Sequence, residues 1–281
     1  PSPGPDIYHS FFSEPAPVPG GNATRAGLAR DLPPHERPER TAPWMRLFVS
    51  LMTNDATHTV TAVAVLSAFH TIVSTLWSGL LSDAARAQAI ERLMLAQTPG
   101  ASRAWRVAAL DRARAEGREA EIMALIDLHR VALTYVTNKK GGDQVMDALD
   151  AAVRQRHRAA GEAFSAFESR LISGGVDMKE IQNVMELAEA DNAGAAYPPL
   201  AGRLRSIVAT SAISHGVDVD RFNSMFFAGL PSDIAEYIQA SSRVGRTHVG
   251  FVMLIPTPQS RRDRYVVETH DIFHRFLERM I

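Results

Sequence analysis

The sequence predicts an α/β domain built on a mostly parallel sheet over residues 130–281, preceded by a Pro-rich extended segment, 1–43, and a short strand plus helical region, 44–129. Two patterns predict it. In the C-terminal half, short β-branched and aromatic runs alternate with helical stretches, and such alternation requires crossover connections and parallel pairing. In the first 43 residues, Pro1, Pro3, Pro5, Pro15, Pro17, Pro19, Pro33, Pro34, Pro38 and Pro43 cluster, with Gly20 and Gly21 among them. A stretch so rich in breakers is expected to lack regular structure and to run over a surface.

The elements follow in order. Trp44 to Met52 suits a short buried strand. Thr57 to Leu81 is helical, with no Gly or Pro before Gly79. Further helices are expected from Ser82 to Ala96, Ser102 to Arg114 and Glu119 to His129. Val131 to Thr137 is a strand, Gly141-Gly142 a turn, and Asp143 to His157 a helix. Phe167 to Ser173 is a strand. Met178 to Ala190 carries apolar residues at 178, 181, 184, 185 and 187, a helical stripe. Strands at 205–210 and 224–228, a helix at 232–242, a strand at 248–255 and a helix at 260–280 complete the pattern.

Composition narrows the class. Hydrophobic residues make up 46% and charged residues 22% of the 281, enough for a packed core. There is no cysteine, which excludes disulfides and thiolate zinc sites and fits a reducing, cytoplasmic setting. The net charge of -1 argues against coating nucleic acid by bulk charge but permits a local basic groove. The window 57–81 holds His58, His70 and several Ser and Thr, so it reads as a buried helix and no membrane association is expected. The first residue is Pro1, and the chain is expected to be a piece of a longer protein.

Two segments carry the functional reading. Ile207 to Asp220 is a strand ending in Ala209-Thr210, followed by Gly216-Val-Asp218. Glu236 to Thr247 contains Gln239-Ala-Ser-Ser-Arg243-Val-Gly245-Arg246. In order and spacing they resemble motifs V and VI of superfamily 2 nucleic-acid helicases. The fold implied is a RecA-like three-layer domain, the C-terminal motor lobe. Leu133 to Lys139 is similar to motif IV. Pro5 to Phe12, Met45 to Met52 and Ala235 to Arg246 also resemble the large helicase of the bacterial DISARM anti-phage system.

The resemblance implies roles. ATP with Mg2+ would lie between this lobe and the N-terminal RecA-like lobe of the same parent chain. Arg246 would be the arginine finger, with Arg243 beside it, because a permanently charged guanidinium suits phosphate oxygens. Gln239 would orient the arginines or touch the γ-phosphate, and Gly245 would keep a side chain from between the arginines. Gly216 would allow close approach of the nucleotide, and Asp218 would contact the ribose or couple to motif VI. Thr210, Thr137, Asn138 and Lys139 would meet a nucleic-acid backbone, DNA before RNA. Gln239, Asp218, Arg243 and Arg246 are expected on one rim at the carboxyl ends of the sheet. Other defence-system subunits are the implied further partners.

The sequence departs from the whole family pattern. It holds no Gly-x-x-x-x-Gly-Lys-(Ser/Thr) loop and no Asp-Glu magnesium box, so this chain alone is expected to be inactive. Ser242 stands where many relatives have Gly. Each residue also has a plainer reading: Asp218 as a turn residue, Thr210 as a strand end, Asn138 to Gly141 as a polar turn, and Arg261, Arg262 and Arg264 as a solvated helix face. The ten histidines show no metal-ligand spacing. The alternative to a motor lobe is a non-catalytic RecA-like scaffold that docks protein or nucleic acid. A dehydrogenase ranks last, because no Gly-x-Gly-x-x-Gly follows a strand.

Overall fold

The computed structural model describes residues 13–15, 41–43, 46–53, 55–82, 84–85, 88–89, 108, 112, 115–117, 124, 126–161, 167–189, 199–211, 222–246, 249–270 and 273–274. The chain divides into two compact units. One comprises residues 1–44, 75–127 and 192–199, the other residues 45–74, 128–191 and 200–281.

In the first unit, β1 (Ser13–Pro15) and β2 (Thr41–Pro43) pair antiparallel. This departs from the expected lack of regular structure. Pro15 and Pro43 stand at strand ends, where a missing N–H costs a short ribbon little. The expected helices at 82–96, 102–114 and 119–129 lie largely outside the described residues.

The second unit holds β3 (Arg46–Ser50), β4 (Ala132–Val136), β5 (Glu168–Ile172), β6 (Leu204–Ala209), β7 (Ser224–Ala228) and β8 (Gly250–Ile255). They form one sheet in the order β3-β8-β7-β4-β6-β5, with every pair parallel. Its helices are α1 (His58–Leu81, of which residues 58–74 belong to this unit), α2 (Lys139–Ala160), α3 (Met178–Glu189), α4 (Ile234–Ser241) and α5 (Arg261–Glu268). This is an α/β architecture with an all-parallel six-stranded sheet, as the sequence led one to expect. One addition to the expected 130–281 domain stands out: β3 completes the sheet as an edge strand beside β8.

The central strands are buried on both faces, which is why they read as near-continuous apolar runs. Period-two alternation sorts them into two cores. Leu133, Tyr135, Ile207, Ala209, Met225, Phe227, Val252 and Leu254 face α3 and α4 through Ile181, Val184, Ala188, Tyr237 and Ala240. Ala132, Val136, Val208, Phe226, Ala228 and Ile255 face α1 and α2 through Ala62, Leu66, Val145, Leu149 and Val153. Helix α1 is long and apolar enough to cross a membrane by length and composition. Its Ala62 and Leu66 are spent on the second core.

The Gly141-Gly142 pair, expected as a turn, lies inside the first turn of α2. Asn138 caps this helix, its Oδ1 accepting from the Gly141 N–H at 2.8 Å. At Gly142 the helix runs close to the sheet, so any side chain there would press on its neighbours. A Cβ there would lie 3.0 Å from Leu171 Cδ1 and 3.2 Å from Val136 Cγ2. At Gly141 the nearest atom to such a Cβ is Asn138 Oδ1 at 3.4 Å.

Three stability outcomes follow, all read by urea denaturation. Gly142→Val forces overpacking between α2 and the sheet and costs about 1–3 kcal/mol, whereas Gly141→Ala is neutral or stabilising by up to about 1 kcal/mol through helix propensity. Leu149→Ala, at a fully buried position, costs about 2–5 kcal/mol. Equal effects of the two glycine substitutions would contradict the close approach at 142.

Candidate functional site

Parallel pairing gives the sheet two distinct rims, and the candidate residues divide between them. At the carboxyl rim, β4 ends in Thr137, Asn138 and Lys139, all exposed. Thr210 follows the adjacent strand β6, half-buried, and its N–H donates to the Ile172 carbonyl at 3.1 Å. A pocket of about 290 Å³ opens here, lined by Thr137, Asn138, Lys140, Gly141, His58 and Thr59, among others. It sits at the first turn of α2, where the helix dipole favours anions.

The Asn138 side chain is committed locally. Its amide nitrogen donates to Thr137 Oγ1 at 3.3 Å while its oxygen caps α2. It therefore orients the helix end, leaving Thr137 and Lys139 better placed to meet a ligand. His58, at the start of α1, is a pocket residue that sequence reasoning passed over. Burial lowers its pKa from the usual value, against an upward pull from Asp263. Its Nδ1 lies 3.4 Å from Thr257 Oγ1. It stood in an apolar window, and no local pattern separates a rim histidine from a core one.

The amino rim holds the other set. Helix α4 starts after β7 at the carboxyl rim, capped by Asp233 accepting from the Ala235 N–H at 2.9 Å. It runs back along the sheet and delivers the chain to the start of β8. Gln239 is exposed in its last turn. Arg243 is half-buried and Arg246 exposed in the loop that follows. The expected convergence on the carboxyl rim is therefore corrected. A crossover between parallel β7 and β8 must end where β8 begins, so the arginines stand at the amino end.

The loop is held tightly. Gly245 has φ 75°, a left-handed conformation that strains any residue with a Cβ. A Cβ on Gly250, the first residue of β8, would lie 2.7 Å from the Gly245 nitrogen. The Ser242 hydroxyl donates to the Gln239 carbonyl at 2.7 Å, so the serine in the usual glycine position closes the helix end. Arg46, the first residue of β3, donates from Nε to the Val244 carbonyl at 2.8 Å. Burial and the neighbouring Arg246 charge both lower the Arg46 pKa. Sequence reasoning missed this residue, because its contact spans 198 positions.

Gly216 and Asp218 lie outside the described residues. The cluster Arg261, Arg262 and Arg264 is exposed, as a solvated face would be, yet Arg262 also donates to the Ser232 and Leu230 carbonyls and Arg264 to Pro258. Among the described residues no group of three or more His, Asp or Glu could hold a metal. The cationic donor set of the amino rim fits a polyphosphate. It does not fit Mg2+, which needs oxygen ligands.

Residues 153–248, which include both motif segments, match the family model for the helicase conserved C-terminal domain. The DISARM protein DrmA of Bacillus paralicheniformis is 28% identical over 163 residues, covering 56% of this chain and 14% of the relative, so the chain spans about a seventh of that protein. The DUF1998 helicase MrfA, solved bound to DNA and AMPPNP, is 19% identical with a TM-score of 0.40, over 58% of this chain and 20% of that one. The Hef helicase domain of Pyrococcus furiosus is 11% identical with a TM-score of 0.35, over 80% and 57%. The family match spans both motif segments within an all-parallel α/β sheet, so residues 153–248 are similar to the helicase conserved C-terminal domain.

Proposed function

We propose that this domain is the C-terminal motor lobe of an ATP-dependent nucleic-acid helicase or translocase, with the nucleotide at its amino rim and the strand at its carboxyl rim. The observation that carries the reading is the loop after α4. Eight residues bring Gln239, Arg243 and Arg246 to one edge, with Gly245 in a conformation that keeps the loop compact. Arg246, the more exposed arginine, is the finger that neutralises charge on the transferring phosphoryl group. Arg243 adds a second cation and Gln239 a neutral donor. Gly216 and Asp218 complete the nucleotide contacts toward the ribose. ATP with Mg2+ supplies the transferable phosphoryl group. The phosphate loop and magnesium ligands come from the N-terminal RecA-like lobe of the parent, so this chain by itself is inactive.

Thr137, Lys139 and Thr210 meet the phosphate backbone at the carboxyl rim, with Asn138 holding the end of α2 in place. Such contacts position a strand without reading its sequence. The proposed track is DNA, the nucleic acid to which MrfA is bound in its solved structure. Similarity to a DISARM protein supports a role for the parent in anti-phage defence, with other subunits of that system as its proposed partners in the cytoplasm.

In the full-length parent, Arg246→Ala lowers nucleic-acid-stimulated ATP turnover by about 10³–10⁵-fold. Unchanged turnover would favour the non-catalytic scaffold instead. Lys139→Ala leaves basal ATP hydrolysis intact and weakens DNA binding alike on different sequences, reducing the slope of log affinity against log salt by about 1. A sequence-dependent loss, or an unchanged slope, would reject the backbone contact.

A further inference from the structure

The edge strand β3 is not part of either motif segment, yet its first residue reaches the arginine loop. Arg46 pairs with Gly250 in the β3–β8 register. From there its Nε donates to the Val244 carbonyl at 2.8 Å, across 198 residues of chain. Val244 lies between Arg243 and Gly245, at the centre of the loop. On its other side the loop is pressed against Gly250, whose missing Cβ leaves room for the Gly245 backbone. The loop is thus fixed from two directions: backbone against backbone at Gly250, and a charged donor at Val244.

We propose that Arg46 is a positioning residue for ATP turnover, clamping the Val244 carbonyl so that Arg243 and Arg246 are presented to the nucleotide in a fixed geometry. The proposal rests on the reading of Arg246 as the finger. A finger acts only when its guanidinium meets the phosphoryl oxygens in the transition state, and misplacement by about 1 Å costs about 10²-fold in rate. The bonds within the loop, such as Arg243 N–H to the Ala240 carbonyl and Val244 N–H to the Ser241 carbonyl, tie it to the end of α4. Arg46 supplies an anchor rooted in the sheet. Its charge also lies close to that of Arg246, which lowers the preference of Arg46 for the charged form. A polyanion at the rim relieves that repulsion, so Arg46 favours the nucleotide-bound arrangement as well as the loop geometry. Lysine is a poor substitute, because its ammonium cannot reproduce the directed Nε–H of a planar guanidinium.

The test uses the full-length parent, with steady-state ATP hydrolysis at saturating DNA for the wild type, R46A, R46K, R246A and the double variant R46A/R246A. Thermal melting of each checks folding. The expected result is a kcat reduced about 10- to 10²-fold in R46A, with KM changed less than about threefold. R46K keeps the charge and stem, folds, and still falls at least about fivefold in kcat. In the R246A background, removing Arg46 changes kcat by less than about twofold, because a residue that acts through the finger has nothing left to position. Wild-type kcat in R46K together with R46A, or fully additive losses in the double variant, would overturn the role of Arg46. Should R46A alone fail to fold, R46K and its combination with R246A decide the matter by the same criteria. An R246A variant with normal turnover would instead overturn the proposed function, so the two failures are distinguishable.

Discussion

Everything at the candidate site follows from the parallel pairing of β7 with β8. Two adjacent parallel strands can be joined only by a chain that returns from the end of the first to the beginning of the second. Helix α4 is that return, and it is short, with Tyr237 and Ala240 buried against the sheet. Its first residue is tied to the carboxyl rim and its exit loop to the amino rim. Because Phe251 N–H donates to the Asn223 carbonyl at 2.7 Å, the start of β8 cannot slide, and the loop before it is equally constrained.

That constraint separates two chemistries by the length of a strand. Five residues of extended chain span about 17 Å. At one end are two arginines and a glutamine; at the other, a helix terminus with threonines and a lysine. Both sets are rooted in the same doubly buried sheet, whose cores from Leu133 to Leu254 and from Ala132 to Ile255 leave little room for independent movement. Under the proposed function this rigidity is useful. A shift of the amino rim, driven by its grip on nucleotide, moves the carboxyl rim and whatever strand it holds as one body. Neither rim needs a large net charge, which agrees with the overall value of -1.

Much of the fold was legible because each central strand is locally distinctive. Val131 to Val136, Leu204 to Ala209 and Ser224 to Ala228 are rich in β-branched or aromatic residues, and the stripe at Ile181, Val184 and Ala188 marks α3. The motif residues were legible from spacing, but not their rim, since spacing says nothing of which way a crossover runs. Gly141-Gly142 misled because paired glycines usually break helices. Here tight packing against Leu171 and Val136 favours a residue without a Cβ at 142 inside one. Arg46 was invisible because a basic residue opening a strand carries no local signal, and its partner lies in the last third of the chain. The sequence does display the short strand 44–52; its place beside β8 is a long-range fact.

A structure of the full-length parent with a non-hydrolysable ATP analogue and a short DNA strand is the most direct measurement. The division of labour between rims predicts nucleotide phosphates against Arg243 and Arg246 at the start of β8, and the DNA backbone against Thr137, Lys139 and Thr210 at the ends of β4 and β6. Both ligands on a single rim, or phosphates remote from the two arginines, would contradict it.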